Sequence, residues 1–172
     1  MSTMTRAEIP PAATDNQSFL LKRIQPALSG LMDGSLSTLA PIFAVMLATH
    51  HPLTAFHTGA ATALGAGVSM AFSEGLSDTG DLTGRGRPVL RGAITGGGTF
   101  AGGIFHTLPF LLPGYRTVIY AAIVVVTVEL LTLAWLRHKF FQTSFARSFV
   151  AVTVGGAIIA TLSGILGVLA AG

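Results

Sequence analysis

Five long apolar segments alternate with short polar stretches along the 172 residues of the chain. They cover approximately residues 24–49, 54–77, 89–112, 116–136 and 146–171. Each is close to the ~20 residues that an α-helix needs to cross about 30 Å of hydrocarbon. No segment has the alternating pattern of a membrane β-strand. Because backbone polar groups in lipid must be hydrogen-bonded within the protein, the pattern predicts an all-α membrane protein with five transmembrane helices.

The stretch before the first apolar segment is polar and contains two adjacent prolines. It carries Pro10, Pro11 and scattered polar residues, and it contains neither the apolar core nor the small-residue cleavage site of a signal peptide. We therefore expect a flexible tail over residues 1–19. Residues 20–172 then form one domain of five transmembrane helices.

Composition supports a membrane location and narrows the chemistry. Hydrophobic residues make up 51% of the chain and charged residues only 10%, whereas an average soluble domain has about 25% charged residues. The absence of cysteine excludes disulfides and thiolate metal sites. A bound metal must therefore be held by oxygen, imidazole or thioether ligands.

The positive charges indicate topology rather than nucleic-acid binding. The net charge is +3, but the basic residues flank the apolar segments and form no patch interleaved with aromatic residues. Nine of the ten Lys and Arg residues fall on one side of the predicted membrane: Arg6, Lys22, Arg23, Arg85, Arg87, Arg91, Arg137, Lys139 and Arg147. Only Arg116 is on the other side. The positive-inside rule therefore predicts a cytoplasmic N-terminus and an exterior C-terminus.

Acidic residues carry the functional information, because the chain has only seven of them. Four fall inside apolar segments or at their ends: Asp33, Glu74, Asp78 and Glu129. A charge at the centre of a membrane helix costs about 2.5–3.5 kcal/mol on insertion scales. Such residues face the interior of a bundle, a water-filled path or a partner charge. The structural alternative is neutralisation by protonation or by an arginine.

The second segment contains a row of candidate metal ligands. Met70, Glu74 and Asp78 are four residues apart, so a continuous helix would place them on one face. Carboxylates alone suit Mg²⁺, Ca²⁺ or Mn²⁺, whereas the soft thioether favours a transition metal such as Fe(II). A methionine in an apolar helix also commonly serves packing alone. The candidate metal ligands of this segment are thus Met70, Glu74 and Asp78.

Glu129 lies in the fourth segment with no local counter-charge. This position predicts proton handling or a buried hydrogen bond rather than metal binding, so Glu129 is a candidate for proton coupling. In the third segment, Gly98 and Gly102 stand four residues apart on one helix face. Small residues at this spacing predict close helix packing.

Histidines offer a second candidate metal site. His50, His51 and His57 cluster at the predicted exterior connection, and His106 lies in the third segment. The same residues also fit an exposed loop followed by a helix start. An enzyme is not predicted, because the chain has no His-Glu-x-x-His motif. The serines of the second segment also lack a catalytic base on the same helix.

Two motifs connect the chain with a known family. "LMDGSLSTLAPIFA" at 31–44, followed by "GAGVSMAFSEGLSD" at 65–78, resembles the vacuolar iron transporter family. The continuation "SDTGDLTGRGRP" at 77–88 is most similar to the membrane module of bacterial membrane-bound ferritin iron exporters. The resemblance covers about residues 20–172.

This resemblance implies a function. It implies that Asp33 and Met70 line a metal path with Glu74 beside them, in a homodimer whose first helices face each other. It further implies export of Fe(II) or Mn(II) from the cytoplasm by proton antiport, across a bacterial inner membrane. The metal is cargo, and no resident cofactor is expected.

Two departures limit the resemblance. The chain has neither the glutamate-rich cytoplasmic domain of one branch of the family nor the ferritin-like domain of the other. How metal would be collected is therefore open. A second hypothesis is a membrane anchor or partner subunit for a separate ferritin-like protein, which would have no need of Asp33, Met70 and Glu74.

Overall fold

The computed structural model describes residues 15–80 and 83–171, so most of the predicted tail lies outside the described residues. Five long helices make up nearly all of the described chain: α1 Asp15–Thr49, α2 Pro52–Gly75, α3 Pro88–Thr107, α4 Tyr115–Phe141 and α5 Phe145–Ala171. A 3₁₀ turn, Leu108–Leu111, follows α3. No strand occurs in the described residues. The prediction of an all-α protein with five helices is confirmed.

The helices differ from the predicted segments mainly at their ends. α1 begins at Asp15 and includes one π-helical turn, Leu20–Ile24, so the last five residues of the predicted tail are helical. α4 continues to Phe141, beyond the predicted end at residue 136. Three helices, α1, α4 and α5, are long and apolar enough to cross a membrane, as expected of a membrane protein.

Proline and glycine set the boundaries near the candidate site. Pro52 and Pro88 begin α2 and α3, where a missing N–H loses no helical hydrogen bond. The connection between these helices contains glycines with φ of 85° at Gly80, 65° at Gly84 and 79° at Gly86. Glycine adopts these values without the strain that a side chain would cause. The connection thereby turns back toward the end of α2.

α3 packs closely against both α1 and α2. On α1, Gly30 and Gly34 lie against the backbone carbonyl groups of Thr95 and Thr99. A Cβ atom at either glycine would overlap the carbonyl oxygen. The two helices therefore touch through their backbones, as small residues allow in membrane bundles.

The glycines of α3 complete this contact. Gly98 and Gly102 lie against the carbonyl groups of Ala27 and Leu31 on α1. The prediction that they serve helix packing is confirmed. On the opposite side of α3, Gly96 lies against the carbonyl group of Gly67 on α2. α3 is thus held between two neighbours at backbone distance.

α4 and α5 form a hairpin that packs on α1, α2 and α3, mainly through the contact between α5 and α1. One core cluster includes Ile42, Met46, Phe110 and Val118, which are almost completely buried. Large apolar side chains, such as Leu166 of α5, are exposed on the outside of the bundle. Such an apolar exterior suits contact with lipid rather than water.

Candidate functional site

Asp33 lies within α1, where its side chain is partly buried. Among the described residues it has no hydrogen-bond partner and no ion-pair partner. Gly34 beside it does not leave space for an ion, because the Thr99 carbonyl group of α3 occupies that position. Asp33 is therefore a carboxylate in an apolar helix with no partner inside the described fold.

Asp33 belongs to a row of polar side chains on the side of α1 that does not face α3. Ser29, Asp33 and Ser37 are four residues apart and share one helix face, while Gly30 and Gly34 face α3. Ser29 is exposed, and the other two members of the stripe are partly buried. We call Ser29, Asp33 and Ser37 the α1 polar stripe. It is the polar face that α1 turns away from α3.

A cavity of about 400 Å³ adjoins one end of the α1 polar stripe. Its lining combines polar and apolar side chains: Gln25, Leu28, Ser29, Met32, Arg137 and Phe141. The guanidinium of Arg137 donates a hydrogen bond of 3.4 Å to the Met32 sulfur. The cavity thus brings a positive charge from α4 close to the helix that carries Asp33.

The predicted row on α2 is only partly realised. Met70 and Glu74 are one turn apart on α2, and both are partly buried. Asp78 does not continue this row, because α2 ends at Gly75 and Asp78 lies in the connection to α3. The prediction of a continuous helical face through Asp78 is wrong. It assumed an unbroken helix across a glycine-rich sequence that turns instead.

Glu74 and Asp78 are ion-paired with two arginines. Arg85 Nη2 lies 2.7 Å from Glu74 Oε1, and Arg85 Nη1 lies 3.5 Å from Asp78 Oδ2. Arg91 Nε lies 2.5 Å from Glu74 Oε1, and Arg91 Nη2 lies 3.3 Å from Asp78 Oδ2. We call these four residues the arginine cluster. Both carboxylates are thereby neutralised in this conformation, which is the structural alternative raised for them above.

The two arginines have different surroundings. The Arg91 side chain is completely buried, whereas that of Arg85 remains 25% exposed. Arg91 Nη2 also donates hydrogen bonds of 3.0 Å to Ser77 Oγ and 3.2 Å to the Glu74 carbonyl oxygen. Arg91 therefore joins the end of α2 to the start of α3. Arg85 covers the same carboxylates from the water-accessible side.

The ionisation of Asp78 reflects the arginine cluster. Desolvation of its carboxyl group opposes ionisation, but the Gly80 backbone N–H and the Arg91 charge outweigh that effect. Thr83 adds a hydrogen bond of 3.2 Å from its hydroxyl group. Together they hold the pKa of Asp78 below its ordinary value of 3.8.

Glu129 is held in the interior by partners from two other helices. The Ser35 hydroxyl group of α1 contacts Glu129 Oε1. His106 Nδ1 of α3 lies 2.9 Å from Glu129 Oε2. Of the two roles predicted for Glu129, proton handling or a buried hydrogen bond, the contact with Ser35 corresponds to the second. A local counter-charge was not visible in the sequence, because both partners are distant along the chain.

The four histidines of the second candidate metal site do not form one site. His50 stacks on Tyr115 with ring centroids 5.1 Å apart, and His57 meets Phe56 edge-on at 5.4 Å. His106 is buried beside Glu129 instead. Within the described residues, no group of three or more His, Asp or Glu side chains is placed to hold a metal ion.

Comparison of the chain with family models, with curated proteins and with solved structures gives no match. The resemblance of its two motifs to iron transporters therefore remains a prediction from the sequence. What the fold and the site show is an all-helical chain with three helices suited to span a membrane.

Proposed function

We propose that the chain is a homodimeric membrane transporter that exports Fe(II), or Mn(II), from the cytoplasm in exchange for protons. The observation that carries the proposal is Asp33, a carboxylate without a partner in a helix that is apolar enough to span a membrane. An intramembrane carboxylate is expensive unless it has a partner, so such residues mark ion pathways.

A second copy of the chain would supply what Asp33 lacks. In a two-fold dimer, the same surface of each copy forms the interface. If the α1 polar stripes face each other, two Asp33 carboxylates lie near the axis and together neutralise one divalent cation. Ser29 and Ser37, one turn away on either side, would offer hydroxyl oxygens to water or metal along the same path.

The remaining candidate ligands have separate roles in this proposal. Met70 adds a thioether that favours Fe(II) over Mg²⁺, since magnesium keeps its water tightly and gains little from sulfur. Glu74 and Asp78 would bind metal only after Arg85, the exposed member of the arginine cluster, moves away from them. The bias of basic residues supports a cytoplasmic N-terminus and an exterior C-terminus, with α2 and α3 completing five spans.

Metal flux into proteoliposomes tests this function. Fe(II), Mn(II), Co(II) and Zn(II) are compared with and without a pH gradient, for the wild type and for Asp33→Asn. We expect Asp33→Asn to lower Fe(II) flux at least about tenfold, equivalent to about 1.4 kcal/mol in the barrier. Asp15→Asn, at the exposed start of the same helix, is the matched control and should transport normally.

The same experiment separates transport from anchoring. An anchor for a ferritin-like protein would tolerate Asp33→Asn, because anchoring uses no carboxylate within α1. Wild-type Fe(II) flux in Asp33→Asn would therefore overturn the proposal, as would the absence of flux for every metal in the wild type.

A further inference from the structure

Arg137 lies near the end of α4 with a positive charge that no acidic side chain of the described residues balances. Arg85 and Arg91, in contrast, are both ion-paired. Within the described chain, the Arg137 side chain makes one hydrogen bond, from Nη1 to the Met32 sulfur at 3.4 Å. A thioether is a weak acceptor, and Nε is buried without a partner. A guanidinium has five N–H donors, so most donors of Arg137 lack an acceptor.

The Arg137 side chain lines the cavity of about 400 Å³ between α1 and α4, which we call the Arg137 cavity. Gln25 and Ser29 add an amide and a hydroxyl group to the same lining, and both groups can donate hydrogen bonds. None of the described residues that line the cavity is acidic. A positive charge with several donors and no carboxylate suits an anion with oxygen acceptors, such as a phosphate group.

A second cavity, of about 200 Å³, continues the Arg137 cavity along α1. Its lining comes from Gln17, Leu20, Leu21, Gln25 and Phe141, and the accessible part of this lining is almost entirely apolar. We call it the apolar cavity. Gln25 and Phe141 line both cavities. A site for an anion therefore adjoins a site for an apolar chain.

The backbone of α1 is irregular beside the apolar cavity. Leu20 and Leu21 belong to the π-helical turn Leu20–Ile24, and π-helical turns within α-helices are frequent at functional sites. The same turn carries Lys22 and Arg23, which are both exposed. Basic residues at the end of a membrane helix attract anionic lipids. The turn thus combines an apolar contact surface with positive charge.

We propose that the Arg137 cavity and the apolar cavity together bind one anionic phospholipid. Its phosphate accepts hydrogen bonds from Arg137, and the first part of an acyl chain lies against Leu20, Leu21 and Phe141. A choline headgroup would bring a positive charge to a lining without a carboxylate. The site therefore selects a lipid of net negative charge, such as phosphatidylglycerol, over phosphatidylcholine. The bound lipid links α4 to α1.

The lipid site is separate from the metal path of the proposed function and does not depend on transport. Ser29 belongs both to the lining of the Arg137 cavity and to the α1 polar stripe, so a second copy is the alternative occupant. The polar stripe of a second copy would offer one carboxylate, Asp33, which the proposed function assigns to the metal. An anionic lipid supplies the missing negative charge without using Asp33.

Native mass spectrometry of the purified full-length chain tests the site. Phosphatidylglycerol and phosphatidylcholine with the same acyl chains are added separately in detergent. We expect the wild type to bind phosphatidylglycerol more tightly. Arg137→Gln should lose affinity for phosphatidylglycerol at least about tenfold, because hydrogen bonds to a charged phosphate are lost. Arg147→Gln removes an exposed arginine of α5 and is the matched control, which should bind normally.

The comparison of the two lipids needs only the wild type, so the test stands even if a variant fails to fold. Equal affinity of the wild type for both lipids overturns the proposal, as do equal losses in the two arginine variants. Inorganic phosphate is the third probe. If it displaces phosphatidylglycerol at equal concentration, the site takes a free anion and the proposal is wrong.

The oligomeric state without added lipid identifies the other possible occupant. We expect Arg137→Gln to form the same oligomer as the wild type under these conditions. Loss of the oligomer in Arg137→Gln would show that a second copy fills the cavity, which overturns the lipid site. If the wild type transported no metal in proteoliposomes, the proposed function would fail, while the lipid measurements would still decide whether this site exists.

Discussion

The carboxylates at the end of α2 and the carboxylate within α1 have opposite surroundings. Glu74 and Asp78 are each contacted by two arginines, whereas Asp33 has no partner in the part of the chain that the structure describes. Charges with partners stabilise the connection between α2 and α3. A charge without a partner, in a place where lipid penalises it, is better explained by a ligand than by stability. The two regions therefore differ in whether the described fold supplies a partner for the carboxylate.

Removing Arg91 should have the largest effect. Arg91→Gln leaves Glu74 and Asp78 with only the partly exposed Arg85, and loss of one partner from a buried ion pair costs about 3 kcal/mol or more. We expect a marked drop in thermal stability in detergent. Asp33→Asn removes an unpaired charge and should not lower stability.

Arg85→Gln is the matched control for Arg91→Gln. Its side chain is partly exposed, so the loss should stay below about 1 kcal/mol. Equal losses for the two arginine variants would show that burial does not distinguish them. If Asp33→Asn lowered stability as much as Arg91→Gln, the contrast between paired and unpaired carboxylates would be wrong.

Cross-linking should show whether the α1 polar stripe lies between two copies. The chain contains no cysteine, so a single Ser29→Cys or Ser37→Cys introduces the only thiol. We expect disulfide-linked dimers from both variants in membranes. Ala27→Cys, on the side of α1 that faces α3, should remain monomeric on denaturing gels. Failure at both serine positions would place the stripe away from the two-fold axis.

Lowering the pH should have a smaller effect on the stability of the folded protein. The pKa of Asp78 in the folded protein is below its ordinary value of 3.8. Its contribution to stability is therefore complete above about pH 4 and is lost as pH falls through the folded pKa. Thermal unfolding measured across this range should show a steeper decline for the wild type than for Asp78→Asn. An equal decline in the two proteins would mean that the pairing of Asp78 with Arg91 does not stabilise the folded protein.

Local sequence patterns predicted the helices and their packing. The five apolar segments became five helices, and Gly98 and Gly102 packed against α1 as their spacing indicated. Both features depend on residues within a few turns of one another. The continuation of the α2 row to Asp78 failed because α2 ends at Gly75, three residues before Asp78.

The partners of the acidic residues could not be predicted in this way. Arg91 reaches Asp78 across 13 positions, and Ser35 reaches Glu129 across 94. In the sequence, Arg91 is one of the nine basic residues that indicate the topology. Nothing else in the sequence marked it as a buried ion-pair partner. His106 was grouped with the other histidines because of its residue type. Only the three-dimensional packing of α3 shows that His106 lies beside Glu129.

The backbone contacts made by the glycines of α3 also determine which parts of the bundle can move. α3 touches both α1 and α2 at backbone carbonyl groups, so sliding α3 past either helix would cause immediate overlap. These three helices should behave as a rigid body. Among the described glycines of the α4–α5 hairpin, only Gly167 makes such a contact, against the Ala44 carbonyl group of α1. We therefore expect the hairpin to shift relative to the other three helices more readily than they shift relative to one another. Because Ser35 belongs to the three-helix unit and Glu129 to the hairpin, any such shift should change the contact between them.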